Sequence, residues 1–203
     1  MEPFKPFLTG RFDLAFQFAS RLHLAQCRKS TQIPYIAHLM TVSAIVLESG
    51  GDEDQAIAAL LHDAVEDQGG LPMLDTIRRL FGDRVANIVR ECSDSETSDP
   101  DEKLPWHGRK RAYLDHLANA SHDALVVSAA DKLHNARSIL SDYRQIGDAV
   151  WLRFSKEASR EDQLRYYRAL VTNFGRTSAP KGIVQELDRI VTALEKGSAN
   201  AGL

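Results

Sequence analysis

Cysteine is scarce in this chain: two residues in 203, Cys27 and Cys92. That is too few for a disulfide framework, and a chain of this length buries enough core to need none. Both are expected as free thiols in a reducing compartment. Long apolar runs are missing as well. No stretch approaches the roughly 18 residues of a membrane span, and Met1-Glu2-Pro3-Phe4-Lys5-Pro6 lacks the apolar heart of a secretion signal. The expected location is cytoplasmic, with no membrane partner. An excess of positive charge is also absent: 25 Lys and Arg against 28 Asp and Glu give a net charge of -3. Attraction of the whole molecule to nucleic acid or anionic lipid is thereby excluded, so an anionic ligand needs a local patch or a metal. The one dense basic cluster is Arg109-Lys110-Arg111. Internal repeats and low-complexity tracts are lacking too.

What the chain does have is apolar residues at helical spacing along almost its whole length. Phe12, Ala15, Phe16, Ala19 and Leu22 form a first stripe. Helices are predicted over 35–49, from near Asp52 to before Gly69-Gly70, and over 72–81, 85–92, 106–117, 124–140, 150–156, 163–174 and 182–195. Residues 93–105 are acidic, polar and broken by proline, which predicts a functional loop between core helices. No pair of strands is expected. The reading is an all-α, single-domain fold of about ten helices over residues 1–196, with 197–203 as a disordered tail.

Chemistry concentrates in Leu60-Leu61-His62-Asp63-Ala64-Val65-Glu66-Asp67. On one continuous helix at about 100° per residue, His62 and Glu66 nearly eclipse, and Asp63 and Asp67 fan to the same side. Three carboxylates at a helix C-terminus oppose the macrodipole, and burying them unpaired costs several kcal/mol more. A divalent cation relieves both costs. Two further polar groups interrupt apolar helices: His38, after Pro34-Tyr35-Ile36-Ala37, and Asp131, after Ser128-Ala129-Ala130. Taken singly, His38 reads as a satisfied core histidine, His62-Asp63 as a structural dipeptide, and Asp131 as a surface partner of Lys132 or Arg137. Together they make a set of two imidazoles and two carboxylates, which suits Mn²⁺, Fe²⁺ or Zn²⁺ better than Ca²⁺. Cys92 reads as core. His23, His107, His116, His122 and His134 carry no pattern that raises them above surface or supporting roles.

These residues resemble those of the HD-domain superfamily, and more narrowly of the RelA/SpoT-type alarmone hydrolases. Arg28-Lys29-Ser30 with Pro34-Tyr35-Ile36-Ala37-His38 is similar to that family's first block. Leu61-His62-Asp63-Ala64-Val65-Glu66-Asp67 is similar to its second, and Ala130-Asp131-Lys132-Leu133-His134-Asn135-Ala136-Arg137 to its third. The resemblance spans residues 28–137 in order and, with the chain's length, implies a small stand-alone hydrolase. It implies removal of the 3′-pyrophosphate from guanosine or adenosine tetra- and pentaphosphates, usually with Mn²⁺. It implies His38, His62, Asp63 and Asp131 as metal ligands and Glu66 and Asp67 as the groups that orient water and carry protons. It places Arg28 and Tyr35 beside the base, Lys29 on phosphate, Asn135 at the ribose or 3′-phosphate, and Tyr166 along the nucleotide.

Two positions depart from the pattern. Gln68 stands where the family commonly has Thr, and Trp106 stands where a phosphate-binding Lys is common; Trp106 reads equally as a stacking wall or a core anchor. The Arg109-Lys110-Arg111 cluster reads first as a solvated helix face and second as a neutraliser of pyrophosphate. Some bacterial relatives of this type neutralise a toxic alarmone synthetase, so such a synthetase is a candidate partner. The competing readings are a general HD phosphohydrolase acting on other nucleotides and a metal-stabilised binding module without catalysis.

Overall fold

The computed structural model describes residues 7–93, 104–154 and 157–200. Ten α-helices and one 3₁₀ helix account for about three-quarters of them: α1 Gly10–Leu22, α2 Ile36–Glu48, α3 Glu53–Leu61, α4 Ala64–Gln68, α5 Gly70–Phe81, α6 Asp83–Cys92, α7 Trp106–Leu117, α8 His122–Ile146, the 3₁₀ helix Gly147–Arg153, α9 Arg160–Phe174 and α10 Lys181–Asn200. The only β-pairing among the described residues is an isolated bridge between Cys27 and Pro34. The all-α reading holds.

α3 is apolar on every side, with Ala56, Ile57, Ala58, Ala59, Leu60 and Leu61 all buried, as a helix must be when neighbours surround it. It packs on α1, α2, α6 and α8. A capping box starts it: Asp52 accepts from the Gln55 amide at 3.1 Å, and the Gln55 side chain accepts from the Asp52 amide at 2.9 Å. α8, 25 residues long, is the spine. It packs on α2, α3 and α6 and on α9, α10 and the 3₁₀ helix. The three helices that carry His38, His62 and Asp131 therefore lean on one another at the centre of the molecule.

Three expectations change. The helix predicted from Asp52 to Gly69 breaks after Leu61: His62 and Asp63 form a turn, and α4 restarts at Ala64. The segment 150–156 is a 3₁₀ helix, Gly147–Arg153, rather than an α-helix, and residues 155–156 lie outside those described. The last helix continues to Asn200, through the Gly197 that was expected to begin a tail. Gly197 serves close packing there instead of termination, because a Cβ at this position would stand 2.8 Å from the Tyr143 ring. Residues 201–203 and most of the predicted loop, 94–103, lie outside the described residues.

Candidate metal centre and nucleotide cavity

The break in the helix is what shapes the site. Asp63 occupies the N-cap position of α4, and Glu66 and Asp67 fall in its first turn. The carboxylates thus sit at the start of a new helix, not at the end of an old one. The opposition to the macrodipole expected from one continuous helix does not arise, and its sign is reversed.

His38, His62 and Asp131 are 1%, 3% and 5% exposed, and each offers a ligand atom within 4.8 Å of the others. Asp63 adjoins them. Its Oδ2 lies 3.1 Å from His62 Nε2 and 3.5 Å from His38 Nε2, while Asp131 Oδ1 lies 3.6 Å and 3.3 Å from the same two nitrogens. The ring orientations follow from their other nitrogens. His62 Nδ1 is 2.8 Å from the Ala59 carbonyl, which only accepts, so Nδ1 carries the proton and the neutral ring turns a bare Nε2 toward the two carboxylates. That Nε2 is buried and has no hydrogen bond. Lone pairs facing carboxylate oxygens repel unless positive charge stands between them. The donor set and its burial therefore fit a divalent cation. Burial pushes the His62 imidazole down, but the carboxylates of Asp63 and Asp131 outweigh it and hold the group well above the ordinary histidine value. Asp131 is driven upward by burial and held low overall, chiefly by Lys132, whose Nζ lies 2.6 Å from Oδ2.

The metal-ligating candidates have dense supports. Tyr35 donates its hydroxyl to Asp63 Oδ2, so it orients a ligand as well as lining the cavity. Asn135 donates to Asp131 Oδ1 at 2.6 Å and accepts from Arg28 Nη2 at 2.9 Å. Arg28 itself is delivered by a tight loop before α2, closed by Arg28 N to Ile33 O and Tyr35 N to Gln26 O at 2.8 and 2.9 Å. Ser30 takes a positive φ of 57° within it.

The cluster opens onto a cavity of about 770 Å³, with His38, Glu66, Lys132 and His134 in its wall. Arg28, Lys29, Arg109 and Lys110 supply positive charge around it, and Trp106, Tyr166 and Tyr167 an aromatic side. Two of the three residues in the basic cluster thus face the cavity, against the solvated-face reading, while Arg111 is exposed. Trp106 is 8% exposed, as a core anchor is, and it also lines the cavity, where it meets the Tyr166 ring edge-on at 5.9 Å.

The acid pair divides. Glu66 lines this cavity, 3.7 Å from Arg109 Nη1. Asp67 instead lines a smaller one of about 400 Å³, where its Oδ2 accepts from Gln26 Nε2 at 2.8 Å. Gln68 donates to the same Gln26 at 2.6 Å, so the departure from Thr is absorbed into a side-chain network.

Three residues of this site were not singled out from sequence. Lys132 is the partner of Asp131, in a buried pair rather than the surface pair considered for it. Gln163, 4% exposed, lines the cavity with an amide nitrogen that has no hydrogen-bond partner. His134 lies 2.7 Å from His38 through their Nδ1 atoms. The available signal for His134 was spacing: three residues after Asp131 on a helix, it shares that residue's face.

Comparison with known proteins agrees with this fold. The Xenopus tropicalis guanosine-3′,5′-bis(diphosphate) 3′-pyrophosphohydrolase MESH1 is 40% identical over 128 residues, 62% of this chain and 67% of that one. The Drosophila melanogaster protein of the same name is 35% identical over 134 residues, 64% and 70% of the two chains. A solved metazoan ortholog of SpoT that hydrolyzes ppGpp superposes with a TM-score of 0.70 at 29% identity, covering 92% of this chain and 96% of that one. The HD domain model matches residues 15–167, a span that holds all four proposed ligands as well as Glu66 and Tyr166. With its fold, its buried His/His/Asp group and this match in agreement, the chain belongs to the HD-domain family.

Proposed function

We propose that this protein hydrolyses the 3′-pyrophosphate of guanosine or adenosine 3′,5′-bis(diphosphates) and related pentaphosphates. The observation that carries the reading is a buried His38/His62/Asp131 cluster opening onto a cavity that is cationic on one side and aromatic on another. Such a cavity suits a nucleotide with phosphates at both ends, and the named activity of the relatives points the same way.

His38, His62 and Asp131, with Asp63 beside them, would hold the ion, for which Mn²⁺ is proposed and Fe²⁺ or Zn²⁺ also match the donors. A bound divalent ion would supply Lewis acidity, lowering the pKa of water and drawing charge from a phosphoryl oxygen. Glu66, in the cavity wall, takes the proton from the attacking water. Water oxygen bonds to the 3′-linked phosphorus, the bond from that phosphorus to the ribose 3′-oxygen breaks, and the proton held by Glu66 passes to that oxygen. Lys29, Arg109 and Lys110 offset the charge of the departing pyrophosphate. Asp67, tied to Gln26, supports Glu66 and the α4 turn. Arg28, Asn135 and Tyr166 are proposed to contact the nucleotide from the cavity wall. The alternatives raised by the sequence, a general HD phosphohydrolase and a synthetase-binding module, gain no specific support from these features.

The test is to incubate the protein with ppGpp and ppApp and Mn²⁺ in H₂¹⁸O. The expected products are a nucleoside 5′-diphosphate and pyrophosphate, with the label in the pyrophosphate. Glu66→Gln is expected to keep the metal and lose most turnover, and Asp63→Ala to lose both. Label in the nucleoside, or normal turnover by Glu66→Gln, would overturn the mechanism.

A further inference from the structure

His38 and His134 come from α2 and α8, 96 residues apart in sequence, and their Nδ1 atoms are 2.7 Å apart. One must donate and the other accept. Arg28 decides which. Its guanidinium has donors only, and Nη1 stands 3.3 Å from that same His134 Nδ1. A nitrogen approached by an arginine N–H is an acceptor, so His134 is neutral with its proton on Nε2. His38 Nδ1 is then the donor, and His38 Nε2 is left bare, pointing at Asp131 Oδ1 at 3.3 Å and Asp63 Oδ2 at 3.5 Å.

We infer that His134 is a positioning residue: its Nδ1 accepts from His38 and thereby fixes the tautomer in which His38 presents Nε2 to a cation. The inference rests on the metal-centre reading above. A free imidazole has no such constraint, and the opposite tautomer would turn an N–H against the ion. The commonest orienting partners of a metal-bound histidine are a carboxylate or a backbone carbonyl. Here a carbonyl does this for His62 and a second imidazole does it for His38. Arg28 heads a parallel chain through Asn135 to Asp131 Oδ1. One cavity-lining guanidinium thus braces two of the ligands, and a substrate contact at Arg28 bears on both.

The decisive measurement is the long-range ¹H–¹⁵N spectrum of the histidine rings, recorded on the metal-free protein and with Zn²⁺. The expected result is a protonated Nδ1 on His38 and a bare Nδ1 on His134 in both states. Bare Nδ1 on His38 with Nδ1–H on His134 overturns the inference. Variants give a second reading. Asn places a carbonyl oxygen near the position of Nδ1, so His134→Asn is expected to keep Mn²⁺ affinity within about threefold, whereas His134→Leu loses about 10–100-fold. Equal affinity in wild type and His134→Leu also overturns it. The outcome stays distinct from that of the hydrolase proposal: a protein that binds metal with these tautomers but leaves alarmones intact would refute the proposed activity and support the role of His134.

Discussion

His62 is held by a backbone carbonyl on one side and faces two carboxylates on the other, so its protonation is linked to metal uptake. Burial pushes the His62 imidazole down, but Asp63 and Asp131 outweigh it and hold the group well above the ordinary histidine value. The sign follows. A raised folded-state value contributes stability that is full below the unfolded value and is lost as pH rises through the folded one. A metal ion competes with protonation, so metal affinity rises with pH. Calorimetric titration with Mn²⁺ at pH 7, in buffers of different ionisation enthalpy, should show net proton release on ion binding. Release of none would contradict that competition. Gln163 allows a second test at this scale. An unpartnered buried amide costs about 1–3 kcal/mol, and a single hydrogen bond contributes about 0.5–1.5 kcal/mol. Gln163→Leu is therefore expected to raise the melting temperature by a few degrees while raising KM for the nucleotide about 3–10-fold at similar kcat. An unchanged KM would mean that the amide does not touch substrate.

Among the elements, the turn at His62–Asp63 decides most. Apolar periodicity ran through it because Ala64 and Val65 are as buried as Leu60 and Leu61, and periodicity registers burial rather than hydrogen-bond continuity. The helix starts were better marked. Ser159 and Asp162 form a capping box on α9, the helix that carries Gln163 and Tyr166, and Asp52 with Gln55 does the same for α3. Asp52 also pairs with Arg84 at 2.7 Å, but that pair is exposed and adds little. Asp52→Ala is expected to cost about 1 kcal/mol in urea denaturation, the usual loss for an N-cap. Metal affinity should stay unchanged, since His62 lies at the far end of α3. A loss of metal binding in this variant would show that the cap and the centre are coupled.

For the molecule as a whole, the cluster is a point where three helices are tied by charge rather than by apolar packing. A ligand that binds only the folded state stabilises it by about 2.7 kcal/mol at 100 times its Kd. In a chain of this size that corresponds to a rise of roughly 5–10 °C in Tm. Mn²⁺ should produce such a rise in a thermal melt, and a chelator should reverse it without unfolding the protein. Lys132 stays paired with Asp131, and His62 Nε2 lies 3.1 Å from Asp63 Oδ2. No change in Tm with metal would contradict the centre. Among the described residues no helix is long and apolar enough to cross a membrane.

Residue order alone determined the all-helical architecture and singled out the four proposed ligands and the neighbouring acids, because polar groups that interrupt an apolar run are visible in one dimension. The tertiary structure decided where those groups point. It turned Asp67 toward Gln26, drew Arg109 and Lys110 to the cavity, and set His134 against His38. The physical reason is that a side chain's direction depends on where helices break and which helix lies opposite. Neither is encoded in the spacing of a single segment.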